Sequence, residues 1–284
     1  MKIRHPLPLC AAAALTLAML ACNIPGGAGK QPAAATDQPA TSGSSQPTSQ
    51  LATATDQPAT SGSSQPTSQP AAASGPCANP LMPVVAGASW TYKTTITGLK
   101  DGTLTRSVKT VSDTGFTSQD SLGSLTTSAD WKCDAGALIA LQPTGGTTAT
   151  ASDANATADL KTTSLDGVTL PASVATGTAW SQTFKLEGNM TIHGTQIPTQ
   201  ENVNQKCTAG PTESVTVPAG TFNAIRADCD IKIDITMTIS GASTPSSIDS
   251  QVQIWYAPNV GMVKTSSQVT GMTTTLELTS YTIP

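Results

Sequence analysis

Histidine is almost missing from this chain. Only His5 and His193 occur among 284 residues, so acid–base or triad chemistry that recruits imidazole has a single candidate beyond the basic N-terminal start. His193 follows Met190 and Ile192 and precedes Gly194, which reads as a solvated turn. Gly-x-Ser-x-Gly elbows, phosphate-cradling glycine loops, metalloprotease motifs and CxxC spacings are all absent, which leaves nucleophilic, nucleotide, zinc and dithiol chemistry without a sequence basis. Charged residues make up 11% of the chain. Three of the fourteen Lys and Arg (Lys2, Arg4, Lys30) and two of the eighteen Asp and Glu (Asp37, Asp56) precede residue 77. The remainder is mildly acidic and carries no basic stripe, so nucleic acid is excluded as a partner. No apolar run approaches the roughly twenty residues that span a bilayer as a helix. Aromatic residues are 4% of the chain, and none precedes Trp90.

What is present begins with a positively charged start, Lys2 and Arg4, then a short apolar run from Leu7 to Ala21 and a cysteine, Cys22. Short length and small residues before the cysteine mark a secretory leader. With Met19, Leu20 and Ala21 ahead of Cys22, it resembles the bacterial lipoprotein signal. That resemblance implies removal of residues 1–21, acylation of Cys22 and attachment to a membrane outside the cytoplasm. Residues 22–76 then form a tether. From Asn23 to Pro76 the chain is a mixture of Ser, Thr, Gln, Pro, Ala and Gly that cannot bury enough apolar surface to offset the entropy of ordering its backbone. The segment ATDQPATSGSSQPTSQ occurs twice, from Ala35 and from Ala54. These copies lack the apolar positions through which solenoid repeats stack, so they lengthen a linker. As a flexible coil the tether reaches on the order of 40 Å.

Residues 77–284 hold every aromatic residue and are long enough for one domain with a substantial core. Thr, Val, Ile and Ser dominate, and Gly or Pro recurs every eight to fifteen residues. This predicts an all-β domain, a single antiparallel curved sheet or half-barrel of about ten strands. Alternation is clearest at Ile231, Ile233, Ile235, Met237 and Ile239. Trp90, Tyr92, Thr94 and Ile96, and Leu276 with Leu278, read as the first and last strands of the sheet. Pro218-Ala219-Gly220 suits a three-residue hairpin loop, and Ala257 to Gly261 marks a second turn. Residues 143–159 read as a long exposed loop. Four domain cysteines, Cys77, Cys133, Cys207 and Cys229, are an even number in an exported chain and predict two disulfides. Of three possible pairings, Cys77–Cys133 with Cys207–Cys229 is favoured, because the second pair brackets one hairpin and a distortion at Gly210-Pro211 would bring it into register.

Four phrases carry a wider resemblance: Gly87-Ala88-Ser89-Trp90-Thr91-Tyr92, Val217-Pro218-Ala219-Gly220-Thr221-Phe222, Trp255-Tyr256-Ala257-Pro258-Asn259-Val260-Gly261 and Leu278-Thr279-Ser280-Tyr281. In this order they resemble a loose set of bacterial secreted lipoproteins whose domains are similar to the LolA and LolB half-barrel carriers. The resemblance implies a fold and carries no functional residue, since the phrases are turns and core aromatics. Those carriers cover the half-barrel mouth with helices, and no segment here has helical apolar spacing.

Candidate chemistry has a plain alternative at each place. Asp228, Asp230 and Asp234 line one strand face beside Lys232, an arrangement for weak calcium binding or for a solvated face that resists sheet pairing. Asp153 to Asp159 opens like an EF-hand loop but has Ala158 where glycine must turn and Ser164 where a glutamate must close the shell. Trp90, Trp131, Trp180, Trp255, Tyr92 and Tyr256 are either core or a ligand platform. No catalytic residue, metal or cofactor is assigned. The expectation is a membrane-anchored, non-catalytic module that binds a lipid, a peptide or an envelope protein; the alternatives are a structural or adhesive surface component and a carboxylate-dependent glycan hydrolase.

Overall fold

The computed structural model describes residues 75–284, apart from positions 124, 143–155, 193 and 270. Twelve antiparallel strands form one sheet: β1 (Ser89–Ile96), β2 (Gly102–Val111), β3 (Gly115–Leu122), β4 (Leu125–Asp134), β5 (Ala137–Ala140), β6 (Ala156–Gly167), β7 (Ala179–Ile192), β8 (Thr195–Val217), β9 (Gly220–Ile239), β10 (Ala242–Ala257), β11 (Gly261–Val269) and β12 (Met272–Thr282). Spatial order is β5-β4-β3-β2-β1-β12-β11-β10-β9-β8-β7-β6. The sheet curls into a nearly closed barrel, and no helix occurs among the described residues. The all-β, single curved antiparallel sheet expected from the sequence is what forms, with twelve strands where about ten were expected. β1 and β12 are the first and last strands in the chain, as the sequence suggests; they pair with each other in the middle of the sheet, while β5 and β6 are its edges. One detail changes. The segment read as a loop over 143–159 contributes its last residues to β6.

Alternation sets the inner face. Trp90, Tyr92, Thr94 and Ile96 on β1 are all buried, as are Thr199, Glu201, Val203, Cys207 and Ala209 on β8, with exposed residues between them. The β8–β9 turn is tighter than the sequence suggests. Val217 pairs with Gly220, so only Pro218 and Ala219 form the loop. A bulge between Ala209 and Thr212 then shifts the register and sets Cys207 opposite Cys229. Disulfide pairs join Cys207 to Cys229 and Cys77 to Cys133, with Cα atoms 4.0 and 5.0 Å apart.

Closure depends on side chains more than on a ladder. β5 has only four residues, and one bridge, Leu138 to Leu170, connects it to the segment after β6. Around it, Thr169 Oγ1 accepts from the Ala140 amide at 2.7 Å and Gln182 Nε2 donates to the Ala140 carbonyl at 3.0 Å. Thr162 Oγ1 donates to the Leu141 carbonyl at 2.8 Å. Asn79 is the staple. Its Nδ2 donates to Gly136 O before β5 (2.8 Å) and to Pro171 O after β6 (2.9 Å), and its Oδ1 accepts from the Leu81 amide (2.9 Å). The Cys77–Cys133 pair fixes the same N-terminal segment to β4. Tight coiling elsewhere demands glycine: a Cβ on Gly188 would fall 1.9 Å from the Asp159 carbonyl oxygen, so β7 can approach β6 there only without a side chain.

Candidate functional site

The inner face is not packed as one continuous core. Among the described residues its buried apolar side chains fall into separate clusters. The largest, around Trp90, Tyr92, Leu104, Phe116, Leu138 and Leu278, fills the end of the barrel near the N-terminal segment. Leu160, Phe184, Leu186 and Val203 form another on β6 to β8, and Met190, Ile235, Met237 and Ile248 a third at the far end. The Cys207–Cys229 pair centres a fourth with Ala227.

Packed against these clusters are inner apolar side chains that stay only partly covered. Ile231, Ile233, Val252, Ile254, Tyr256 and Leu276 are intermediate in exposure. Register places them on the inner side: Val252 pairs with Cys229 and Ile254 with Ala227, Ile233 with Val203, and Leu276 with Thr94.

Polar groups also face inward. Arg106 Nε and Nη2 donate to the Asp120 carboxylate at 2.8 and 2.6 Å, a forked geometry in which a guanidinium binds a carboxylate most strongly. Asp120 holds the guanidinium firmly in its charged form. Burial pushes the Tyr92 hydroxyl well above the usual phenol range, and that of Tyr256 up to about 12. Glu201 is 8% exposed. Its Oε1 has no hydrogen-bond partner, and burial alone raises its carboxyl above the ordinary glutamate value.

The aromatic residues singled out in the sequence divide between core and wall. Trp90 and Tyr92 are buried, with Trp90 Nε1 donating to Val260 O at 2.6 Å and the Tyr92 hydroxyl to Met262 O at 3.0 Å. Trp131 and Trp180 donate to Ser118 Oγ and Thr169 O. Trp255 is buried in the largest cluster, donates to Glu213 and lies under the Lys264 ammonium, while Tyr256, beyond a bulge, is half-buried. These rings do not form one exposed platform.

The aspartate row lies on the outer face. Arg226 Nε lies 3.1 Å from Asp228, and Lys232 Nζ lies 3.0 Å from Asp234. The Lys232 hydrogen bond holds the Asp234 carboxyl below its ordinary range. Asp230 lines an open outer trough of about 820 Å³ with Lys206, Lys232, Asp249, Gln251 and Gln268. Charges of both signs alternate along it, which favours solvation over capture of one ion. Among the described residues no group of three or more His, Cys, Asp or Glu is placed to hold a metal. Cys22, His193 and most of the EF-hand-like segment lie outside the described residues.

Sequence reasoning missed Glu201 and Asn79. Glu201 sits in a polar run, Gln200-Glu201-Asn202, with no local alternation; counting back in twos from Cys207 would have put it on the inner face.

An antiparallel, nearly closed barrel whose inner face carries partly exposed apolar side chains is the class that fold and site define. The chain belongs to the DUF3108-like family, which matches residues 87–268. No curated protein matches it by sequence. A crystal structure of a candidate lipoprotein from Parabacteroides distasonis is similar, at 15% identity and a TM-score of 0.45, over 72% of this chain and 99% of that one. A candidate exported protein with a YmcC-like fold from Bacteroides fragilis is similar at 14% identity and a TM-score of 0.41, over 72% and 99%. The hypothetical lipoprotein YmcC from Escherichia coli gives 7% identity and a TM-score of 0.29, over 69% and 85%. At TM-scores below 0.5 none of the three informs this chain's activity. The LolA and LolB likeness stays a sequence resemblance: the helices that cover those half-barrels have no counterpart among the described residues.

Proposed function

We propose that the protein is an extracytoplasmic lipoprotein, held to a membrane by an acylated Cys22, whose β-barrel is a non-catalytic binding module for an apolar, chain-like ligand on its inner face. The observation that carries the binding reading is the half-covered wall of Ile231, Ile233, Val252, Ile254 and Leu276. Such side chains gain about 25 cal/mol for each Å² of apolar surface that a ligand removes from water. The two disulfide pairs suit an oxidising compartment outside the cytoplasm. The leader from Lys2 to Ala21 and the tether after Cys22 supply export and reach.

A neutral naphthyl probe that fluoresces in apolar surroundings tests the site on residues 23–284, a span that contains every described element. Ile254→Asp should weaken probe binding at least tenfold, because it sets an unpaired charge in the wall. Gln253→Asp, one residue away on the outer face, should leave it unchanged. Equal binding by wild type and Ile254→Asp would refute an inner site.

A further inference from the structure

Glu201 is a buried, unpartnered carboxyl on the inner face. On β8 it pairs with Leu186 of β7 on one side and Ile235 of β9 on the other, so its carboxyl lies between two apolar clusters. At 8% exposure it is more than nine-tenths buried, Oε1 has no partner, and burial is the sole cause that perturbs it. The inner positions around it are Thr199 and Val203 on β8, Phe184 and Gly188 on β7, and Ile233 and Met237 on β9. None of them carries a charge. A second orphan stands at the same level: Ser246 Oγ, on the far side of Ile235, also lacks a partner. A hydrocarbon side chain at position 201 would pack without the desolvation that a carboxylate suffers there. An acid held in such a place, beside the half-covered Ile231 and Ile233, is preorganised for a cation that arrives on an apolar ligand.

We propose that Glu201 receives the ammonium group of a single-chain amphiphilic amine whose alkyl chain lies along Ile231, Ile233 and Val203. This rests on the inner-face reading above and adds the headgroup to it. An alkylammonium supplies the hydrogen-bond donors that Oε1 lacks and brings the positive charge that the site has nowhere else. A carboxylate-headed chain would meet repulsion, and an alcohol would donate a single hydrogen bond to Oε1 without bringing a counter-charge.

Calorimetric titration of residues 23–284 at pH 8 with decylamine, 1-decanol and decanoate, each below its micelle-forming concentration, separates the two readings. Decylamine should bind about tenfold to a hundredfold tighter than decanol, the range expected for a charge-assisted hydrogen bond, and decanoate should bind most weakly. Glu201→Gln should bring decylamine to the decanol level and leave decanol unchanged. Equal binding of amine and alcohol by the wild-type chain, or an amine preference that survives Glu201→Gln, would overturn the headgroup assignment while leaving the apolar site standing. If none of the three chains binds, the inner-face reading falls and this assignment falls with it.

Discussion

Replacing Asn79 should open the barrel at its seam. The Asn79 amide makes three hydrogen bonds, to Gly136 O, Pro171 O and the Leu81 amide, at 2.8 to 2.9 Å, and the residue is 2% exposed. Each bond contributes about 1 kcal/mol net, and a partner left buried without water costs about 1–3 kcal/mol. Asn79→Ala therefore loses about 3 kcal/mol if water enters the vacated space, and more if it does not. For a domain of this size about 2–4 °C accompanies each kcal/mol, so the midpoint of thermal unfolding should fall by about 6–12 °C. Asn79→Asp should be worse than alanine. It keeps the acceptor for Leu81 but turns a carboxylate oxygen toward two carbonyl oxygens. Calorimetry on the disulfide-intact chain gives the ranking, and amide hydrogen exchange gives the location: Leu138, Ala140 and Leu170 should exchange faster while the β9–β10 ladder keeps its protection. A shift under about 2 °C for Asn79→Ala, or an aspartate variant as stable as wild type, would show that the seam does not depend on this side chain.

Other consequences are open to measurement. Peptide mapping without reductant should recover Cys77 linked to Cys133 and Cys207 linked to Cys229; a Cys133–Cys207 peptide would contradict the register at the Gly210-Pro211 bulge. Asp120→Asn should cost about 3 kcal/mol in denaturant unfolding, because it strands the inward-facing Arg106 guanidinium without its counter-charge, and a change below about 1 kcal/mol would place that pair in effectively open water. The raised Glu201 carboxyl binds its proton more tightly in the folded state than in the unfolded one. Its contribution to stability is therefore greatest below the ordinary glutamate range and declines as pH rises through the folded value. Glu201→Gln should thus stabilise the ligand-free protein at pH 8 by about 1–3 kcal/mol and by much less near pH 4; a gain independent of pH would mean that the carboxyl does not titrate as burial requires. Mass spectrometry of the N-terminal peptide from membranes should find Cys22 acylated, and an unmodified cysteine would remove the anchor.

Much of the barrel could be read from local pattern. Ile231 to Ile239 announce a strand with one inner face because their period of two is unbroken, and Pro218-Ala219-Gly220 with Gly210-Pro211 contained both the turn and the bulge that align Cys207 with Cys229. What stayed hidden depends on contacts between distant segments. The start of β6 looked like loop because Ala156-Thr157-Ala158 are small or polar, and a bulge between Thr162 and Ser164 interrupts the strand's period. Closure depends on Asn79 meeting Gly136 and Pro171, 57 and 92 residues away, and no local signal reports such a meeting. The half-covered wall was equally silent. Alternation says which residues face inward, but how completely they are covered follows from the curvature of the whole sheet.

The partly covered wall carries the binding reading, and methyl NMR of isoleucine-labelled protein addresses it directly. On titration with decylamine, the Ile231, Ile233 and Ile254 methyl signals should shift together along one saturating curve, while those of Ile139 and Ile283 remain in place. Saturable shifts confined to Ile139 or Ile283, or no shift at Ile231, Ile233 and Ile254 at any subsaturating concentration of the chain, would contradict an inner binding face.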